Sequence, residues 1–578
     1  MASSIDFGTI SITGGTTRLS GTSSNLDTET LIEALAEAKR LPAVRLENRI
    51  TENEAKLAAY EELRGLLGDL RDAVAGLRNP PGFFGVNENL FEKKDVFYSS
   101  DTTTSPAELL AVSADNTAQP GSFTLTVDRL AKAHKFSSDS AGSATQTLAD
   151  AFNGGAAFSG SFTIGLAGSG TTATIAVDGT MDIYDLEEAI NATTGDSGVT
   201  ASVLKVSDTD YRLVVTAQET GKSVQLSPAG GDNVLDIVGL TTGGGTTVKN
   251  EIQAAQTAQI TLDGVTIERS SNTIDDVLEG ITLNLFKADS GTTVTVDVER
   301  SAASVKEAVM AFVDAYNAFR DFAATQVKVG EDGEVDEESV LFGDGTLRSI
   351  VSSVSDAITS QVEGLSSGEL ASLAEIGITL DGDNKLVVDE ATLDDKLVTD
   401  LDGVRKVFEF SFQASSGDLA VYSRTNALSD TSFTVNIVDA DGDGVIESAD
   451  IDGVAVDVSG GRIIGRDGTP YEGLVLLWSG SGSTSITATA TQGVADKLYN
   501  SLQTAIDEVD GTLTNAIDSV EQENVRLTDE IAKIDSRVET FRQSLIEKFA
   551  ALETALTVAN SMLQQVEATT AAMFGNDR

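Results

Sequence analysis

The stretch LTDEIAKIDSRVETFRQSLIEKF (residues 527–549) decides how the chain folds. Along it Leu527, Ile531, Ile534, Val538, Phe541 and Leu545 step by 4-3-4-3-4. The spacing continues through Leu552, Ala555, Ala559, Met562 and Val566, with Lys548 as its one polar member. A 3.5-residue repeat held over several heptads lays an apolar stripe along one helix, facing another. Alone in water such a helix is marginal, because most helical stability comes from packing the apolar face. The stripe therefore predicts a partner.

A matching stripe stands at the other end of the chain. Tyr60, Leu63, Leu67, Leu70, Val74 and Leu77 step by 3-4-3-4-3, and NPPG (79–82) closes the run. Upstream, LDTETLIEALAEAKRL (26–41) opens a helix, with Asp27 or Thr28 as its cap and Glu29 and Glu33 near the positive helix end. Pro42 is expected to interrupt or restart that helix. The two seams can pair with each other, with other subunits, or with both. An ordinary intramolecular bundle is the plain alternative to an assembly interface.

Between the ends the period changes. Phe123, Leu125 and Val127 in SFTLTVDRL (122–130) alternate as a strand does. TATIAVDG (172–179) reads as a strand and turn, followed by a short helix carrying Ile183, Leu186 and Ile190, then two strands joined by SDTD (207–210). AQITLDGVTIE (258–268) is a hairpin signal, because Asp263-Gly264 suits a type I′ turn. GITLNLF (280–286) and TVTVDVE (293–299) read as a second pair around ADSG (288–291), and SVKEAVMAFVDAYNAFRDFA (304–323) returns to helical spacing. The Gly/Thr run at 241–247 is the clearest linker.

The predicted fold class is multidomain α+β: N- and C-terminal helices pair as a coiled-coil or helical-bundle leg, with β-rich α+β head domains inserted between them. The expected divisions are a disordered segment at 1–25, an N-terminal helical leg at 26–80, a β-rich head domain from 95–135 and 246–300, and an inserted head domain at 136–245. A helical leg-associated region at 301–400, an inserted β domain at 401–495 and a C-terminal helical leg at 496–578 complete them.

Composition narrows the function. The 578 residues exceed one core, and Lys+Arg total 39 against 90 Asp+Glu, a net charge of −51. Phosphate binding needs clustered basic residues, so nucleic acid is not an expected partner, and anionic membrane surfaces are disfavoured. The plain consequence of the charge is solubility through self-repulsion. No cysteine is present, which excludes disulfides, thiolate nucleophiles and cysteine-based clusters. The one histidine, His134 in LAKAHKF (130–136), rules out multi-histidine zinc sites and reads as solvated or internally satisfied. The opening MASSIDFGTISITGG lacks a signal peptide's basic start and apolar stretch, and no apolar run approaches a membrane span. The expectation is no membrane insertion, with residence in the cytoplasm or export without a cleaved signal. One tryptophan, 5% aromatics and no Gly-rich nucleotide loop argue against an enzyme. A carboxylate pair of the glycosidase kind stays open on sequence alone.

VDADGDGVIESADID (438–452) has nearly the spacing of a twelve-residue calcium loop. Asp439, Asp441 and Asp443 take positions 1, 3 and 5, Gly444 position 6, Val445 position 7 through its carbonyl, and Asp450 position 12. Ile446 is the expected anchor in the core. Asp at position 12 reaches less far than Glu, and SFTVNIV (432–438) alternates like a strand rather than a helix. Three readings stand: a sensor, a structural calcium clip between strands, and an acidic turn that binds nothing.

Five segments carry a resemblance. SNLDTETLIEALAEAKRLPAVRLENRITENEAKLAAYEELRGLLGDLRDAV (24–74) resembles the N-terminal segment of the flagellar filament-capping family, hook-associated protein 2. In its opening GTSSNLD (21–27) only Leu26 and Asp27 match the family pattern. PGSFTLTVDRLAKAHKFSS (120–138) is similar to the family's first strand segment, and DLEEAINATTGDSGVTASV (185–203) resembles the Ile-Asn motif of hook and filament proteins through Ile190 and Asn191. ASLAEIGITLDGDNKLVVDEATL (371–393) resembles the Ile-Gly-Ile segment. FRQSLIEKFAALETALTVANSMLQQV (541–566) resembles the C-terminal helix at Phe541, Phe549, Leu552, Glu553 and Asn560.

The resemblance implies a non-enzymatic cap at the distal end of the flagellar filament. It implies a homo-oligomeric ring standing on legs from both termini, with flagellin and an export chaperone as partners. It also implies secretion through the flagellar channel without a cleaved signal. Another axial protein at the hook–filament junction, or an exported calcium-stabilised adhesin, are the competing expectations.

Overall fold

The computed structural model describes residues 10–13, 16–19, 28–78, 89–330, 333–424, 428 and 431–574. Two compact units divide the chain: Met1–Arg78 with Ala308–Arg578, and Asn79–Glu307.

In the first unit the N-terminal helix runs Thr28–Ala75 and the C-terminal helix Thr512–Phe574. They pack antiparallel. Arg542 Nε donates to Glu33 at 3.0 Å, Arg40 Nε to Asp535 at 2.8 Å, and Asn53 Nδ2 to Asn524 at 2.8 Å, so positions rise along one helix as they fall along the other. The helix Val494–Ile506 packs against the N-terminal helix and against Gly345–Thr359, widening the pair into a bundle.

Pro42 does not interrupt the N-terminal helix, contrary to expectation; it lies inside one continuous helix. An interior proline costs roughly 3 kcal/mol through a lost N–H and a crowded carbonyl. Here both flanking turns are held from outside. Ala36 and Ala43 pack with Ile534 and Val538, and Arg40 is gripped by Glu47 and Asp535. The expected cap Asp27 and the NPPG stretch lie outside the described residues. Within 1–25, where disorder was expected, the described residues Ile10–Thr13 and Thr16–Leu19 pair as antiparallel strands.

Inserted into this unit, residues 410–492 form two antiparallel sheets. One holds Phe410–Ala414, Thr484–Gln492, Ser432–Val438, Ser448–Ile451 and Val454–Ala455 in spatial order; the other holds Leu419–Arg424, Leu474–Trp478, Arg462–Ile464 and Asp457–Ser459. Phe433, Val435, Ile451, Ile463, Leu476 and Trp478 join both sheets in one core.

The second unit has two cores. In the first, a five-stranded sheet runs Val265–Arg269, Ala258–Leu262, Gly121–Arg129, Asp289–Arg300, Lys94–Ser100, and a three-stranded sheet packs beside it. Asp263 and Gly264 both take positive φ, 45° and 81°, as the tight turn requires. GITLNLF and TVTVDVE do not pair with each other. Ile281–Leu285 pairs with Thr273–Leu278 and Leu110–Ala114, whereas Asp289–Arg300 lies between Gly121–Arg129 and Lys94–Ser100. The second strand already begins inside the supposed turn, at Asp289, which leaves no loop for a hairpin.

The second core joins the sheet Asn250–Gln253, Ala133–Ser137, Asp210–Thr220, Val199–Ser207 to a three-stranded sheet and the helix Ile183–Asn191. The run at 241–247 is not a linker there. Thr241–Thr242 pairs with Thr247–Val248, and the Asp236 carboxylate accepts the N–H groups of Gly244 at 2.9 Å and Gly245 at 3.1 Å.

Candidate assembly seam and acidic loop

The seam divides into a covered and an uncovered part. Tyr60, Leu63, Leu67, Leu70, Val74 and Leu77 are all buried, at 2% exposure or less. Opposite the first half of the N-terminal helix, Leu527, Ile534 and Val538 are buried and Ile531, Phe541 and Leu545 partly so. Further on, Leu552, Met562 and Val566 are 44%, 61% and 64% exposed. Antiparallel pairing explains the change: the described N-terminal helix begins at Thr28, and its partner extends well past that point. Charged pairs rim the covered part. Two carboxylates, Glu47 and then Asp535, hold the Arg40 guanidinium protonated far beyond its ordinary range, and Glu33 does the same more weakly for Arg542. Sequence spacing located the apolar seam; its charged rim needed the register between the helices, which no local pattern supplies.

In the acidic loop Asp439, Asp441 and Asp443 each offer a carboxylate oxygen within 4.8 Å of the others. Asp439 is buried, and its carboxylate accepts three backbone N–H groups: Gly482 at 2.7 Å, Gly442 at 2.9 Å and Gly444 at 3.1 Å. The Gly482 donor above all, with burial opposing, holds that carboxyl below the usual carboxylate range. Asp441 accepts from Asp443 N at 3.3 Å and Asp443 from Val445 N at 2.8 Å. Gly444, with φ 84°, gives the bend a side chain would strain. Ile446 is buried and Val445 exposed.

Asp450 is not brought to this cluster. It lies in Ser448–Ile451, where its carboxylate accepts from Asn436 Nδ2 and from Gly453 N, both at 2.8 Å. After the loop the chain leaves as a strand rising about 3.3 Å per residue, which carries position 12 away; a helix would have folded it back.

Two further constellations stand out. His134 is buried, with Nδ1 accepting from Val224 N at 3.0 Å and Nε2 3.2 Å from Glu251, so it is internally satisfied. Arg424 and Asp496 form a fully buried ion pair that sequence reading missed. Arg78 Nε stands 3.7 Å from the same carboxylate, while Gln492 and Asn500 donate to it at 3.3 and 3.4 Å. The guanidinium of Arg424 lies 3.6 Å from the Phe410 ring centre and that of Arg78 3.9 Å from Tyr499. Burial pulls the Arg424 pKa down against the attraction of Asp496. The members are far apart in sequence, and nothing local marks them.

Terminal helices that pair antiparallel, with β-rich units inserted in sequence between them, define a multidomain α+β protein. The solved D1-D2-D3 domains of the flagellar cap protein FliD from Escherichia coli share the fold, with a TM-score of 0.53 over 80% of this chain and 99% of that one at 24% identity. Residues 24–134 match the family described as flagellar hook-associated protein 2 N-terminus, 255–561 its C-terminus, and 161–219 the flagellin hook IN motif. The Escherichia coli K12 flagellar hook-associated protein 2 is 30% identical over 66% of this chain and 78% of its own length. The A-type protein of Pseudomonas aeruginosa is 26% identical over 68% and 80%. The chain belongs to the flagellar hook-associated protein 2 family.

Proposed function

We propose that this chain caps the distal end of a flagellar filament as a ring of identical subunits, retaining exported flagellin and promoting its insertion. Family membership supports the reading, and one observation carries its mechanism: the termini pair with each other, yet the stripe through Leu552, Met562 and Val566 stays uncovered. The covered half gives each subunit a stiff leg. The uncovered half is apolar surface that neighbouring axial subunits can bury, so affinity differs between free and assembled states without bond chemistry. Flagellin and an export chaperone are the partners this role requires. Among the described residues no helix is long and apolar enough to cross a membrane.

Deleting the gene tests the proposal. Flagellin shed as monomer from cells that bear hooks without filaments is the expected result, rescued by the full chain and not by one ending at residue 525. Normal filaments in the deletion strain would overturn it.

A further inference from the structure

We propose that a pocket in the leg unit, distinct from the terminal seam and the acidic loop, receives an acidic–aliphatic peptide segment of a partner chain. The pocket encloses about 230 Å³ between the end of helix Ala302–Thr325, the segment that follows it, and the start of helix Gly345–Thr359. Ala323, Val327, Leu341, Leu347 and Val351 give it apolar walls, and two arginines, Arg320 and Arg348, share the lining.

These arginines carry the argument. In a chain with 90 acidic residues against 39 basic ones, neither has a carboxylate partner among the described residues. Arg320 Nε is in addition buried without any hydrogen-bond acceptor. A buried donor left unmade costs about 1–3 kcal/mol, more when charged, so the group is poised for an acceptor from outside. The acidic residue in the lining, Asp344, is already engaged: it accepts from Lys56 Nζ at 2.6 Å, Tyr60 OH at 2.7 Å and Leu347 N at 3.0 Å. The pocket is thus cationic within an acidic protein.

Its walls are fixed before any ligand arrives. Gln326 donates to Glu338 O at 3.3 Å and accepts from Leu341 N at 3.0 Å, and Ser339 Oγ donates to Thr325 O at 2.6 Å. Those bonds hold Glu338, Ser339 and Leu341 against the helix end, and a preorganised site loses little entropy on binding. Val327 in the wall is 61% exposed, and Val340 and Phe342, on either side of Leu341 in sequence, are 40% and 48% exposed. An apolar rim around two guanidinium groups matches a carboxylate flanked by aliphatic side chains. A small inorganic anion would leave the rim unused, and nucleic acid would be repelled by the chain's charge. The inference stands apart from the cap reading, since it needs only the pocket.

The test uses the full chain and the peptide acetyl-Ala-Leu-Glu-Leu-Gly-Lys-amide carrying an uncharged fluorophore on its lysine, with the Gln-for-Glu peptide as control, read by fluorescence anisotropy. Saturable binding by the Glu peptide is expected, weakened about ten-fold or more in the Gln peptide, in Arg320→Gln and in Arg348→Gln, as loss of one charge-assisted hydrogen bond implies. Val327→Ser should weaken it several-fold, and 0.5 M salt should reduce it. Should Arg320→Gln fail to fold, Arg348→Gln on the exposed side decides. Equal binding of the two peptides, insensitivity to Arg348→Gln, or no saturable binding overturns the proposal. Self-association of the chain that weakens in the same variants supports it, with the segment supplied by a second copy.

Discussion

The side-chain amide of Asn191 exchanges two hydrogen bonds with the backbone of Ala201, donating to its carbonyl at 2.9 Å and accepting from its N–H at 2.8 Å. Ala201 belongs to Val199–Ser207, the edge strand of its sheet, paired on the other side with Val215. Asn191 therefore stands in for a missing neighbour strand, while Ile190, one residue earlier, is fully buried in the core. That division of labour gives the Ile-Asn pair a physical meaning: one side chain fixes the helix to the core and the next closes the sheet edge.

Replacing Asn191 by Ala should cost about 1 kcal/mol, since two modest hydrogen bonds are returned to water at a partly exposed site. Asn191→Asp should cost more, because it loses the donor and sets a negative charge against the Ala201 carbonyl. Amide exchange at Ala201 is the direct readout. Unchanged protection in Asn191→Ala would refute the edge-closing role.

The buried pair Arg424–Asp496 predicts a larger effect. Asp496→Ala leaves two guanidinium groups, those of Arg424 and Arg78, without their shared carboxylate, and such losses cost about 3–5 kcal/mol. The double replacement Arg424→Met with Asp496→Leu should recover much of that, because an apolar pair carries no desolvation penalty. Calorimetric melting of the full chain separates the cases. A single variant that melts with the wild type would show the charge to be solvated.

Acid should loosen the inserted β unit through Asp439. Its folded pKa lies below the unfolded value near 3.9, so the ionised form is favoured by folding. The stabilisation is present above about pH 4 and is lost as pH falls through the folded pKa. Asp439→Asn should remove that part of the pH dependence and weaken the unit at neutral pH. Melting curves between pH 2 and 7 check it; a slope equal in both proteins would argue against Asp439 as its source.

Where the loop acts as a calcium clip rather than an acidic turn that binds nothing, its affinity should be weak, with Kd of about 10⁻⁴–10⁻³ M, because three carboxylates converge and Asp450 at position 12 is engaged elsewhere. Millimolar calcium is expected to raise the melting temperature of the wild-type chain and to leave Asp441→Asn with Asp443→Asn unchanged. A rise that persists in the double variant would assign the effect to the general acidity of the surface.

These features differ in how legible they were. Burial along 60–77 and 527–545 was legible because a heptad repeat writes a helix–helix contact into local spacing, whereas the same repeat continues through Leu552, Met562 and Val566, which are exposed; the Asp263-Gly264 turn was legible because backbone sterics select its residues. Pro42 misled because propensity speaks for an isolated helix, and here the partner helix holds both flanking turns. Asp450 misled because ligand spacing assumes a helix after the loop, whereas the chain continues as a strand. Arg424, Asp496 and the pocket arginines Arg320 and Arg348 acquire their meaning only from neighbours distant in sequence.

The divided seam yields a last prediction that separates folding from assembly. Leu67 and Leu70 are fully buried, so Leu67→Ala or Leu70→Ala should cost about 2–5 kcal/mol and lower the melting temperature of the leg unit. Met562 and Val566 are mostly exposed, so Met562→Ser with Val566→Ser should change the stability of the isolated chain by less than about 0.5 kcal/mol per site. The same double variant should nevertheless fail to restore filaments in a deletion strain, because it removes the apolar surface on which assembly depends. Analytical ultracentrifugation, melting curves and a motility assay on the two sets of variants give the full comparison. Normal motility with Met562→Ser and Val566→Ser would show that the exposed stripe is dispensable and confine the leg's role to the covered half.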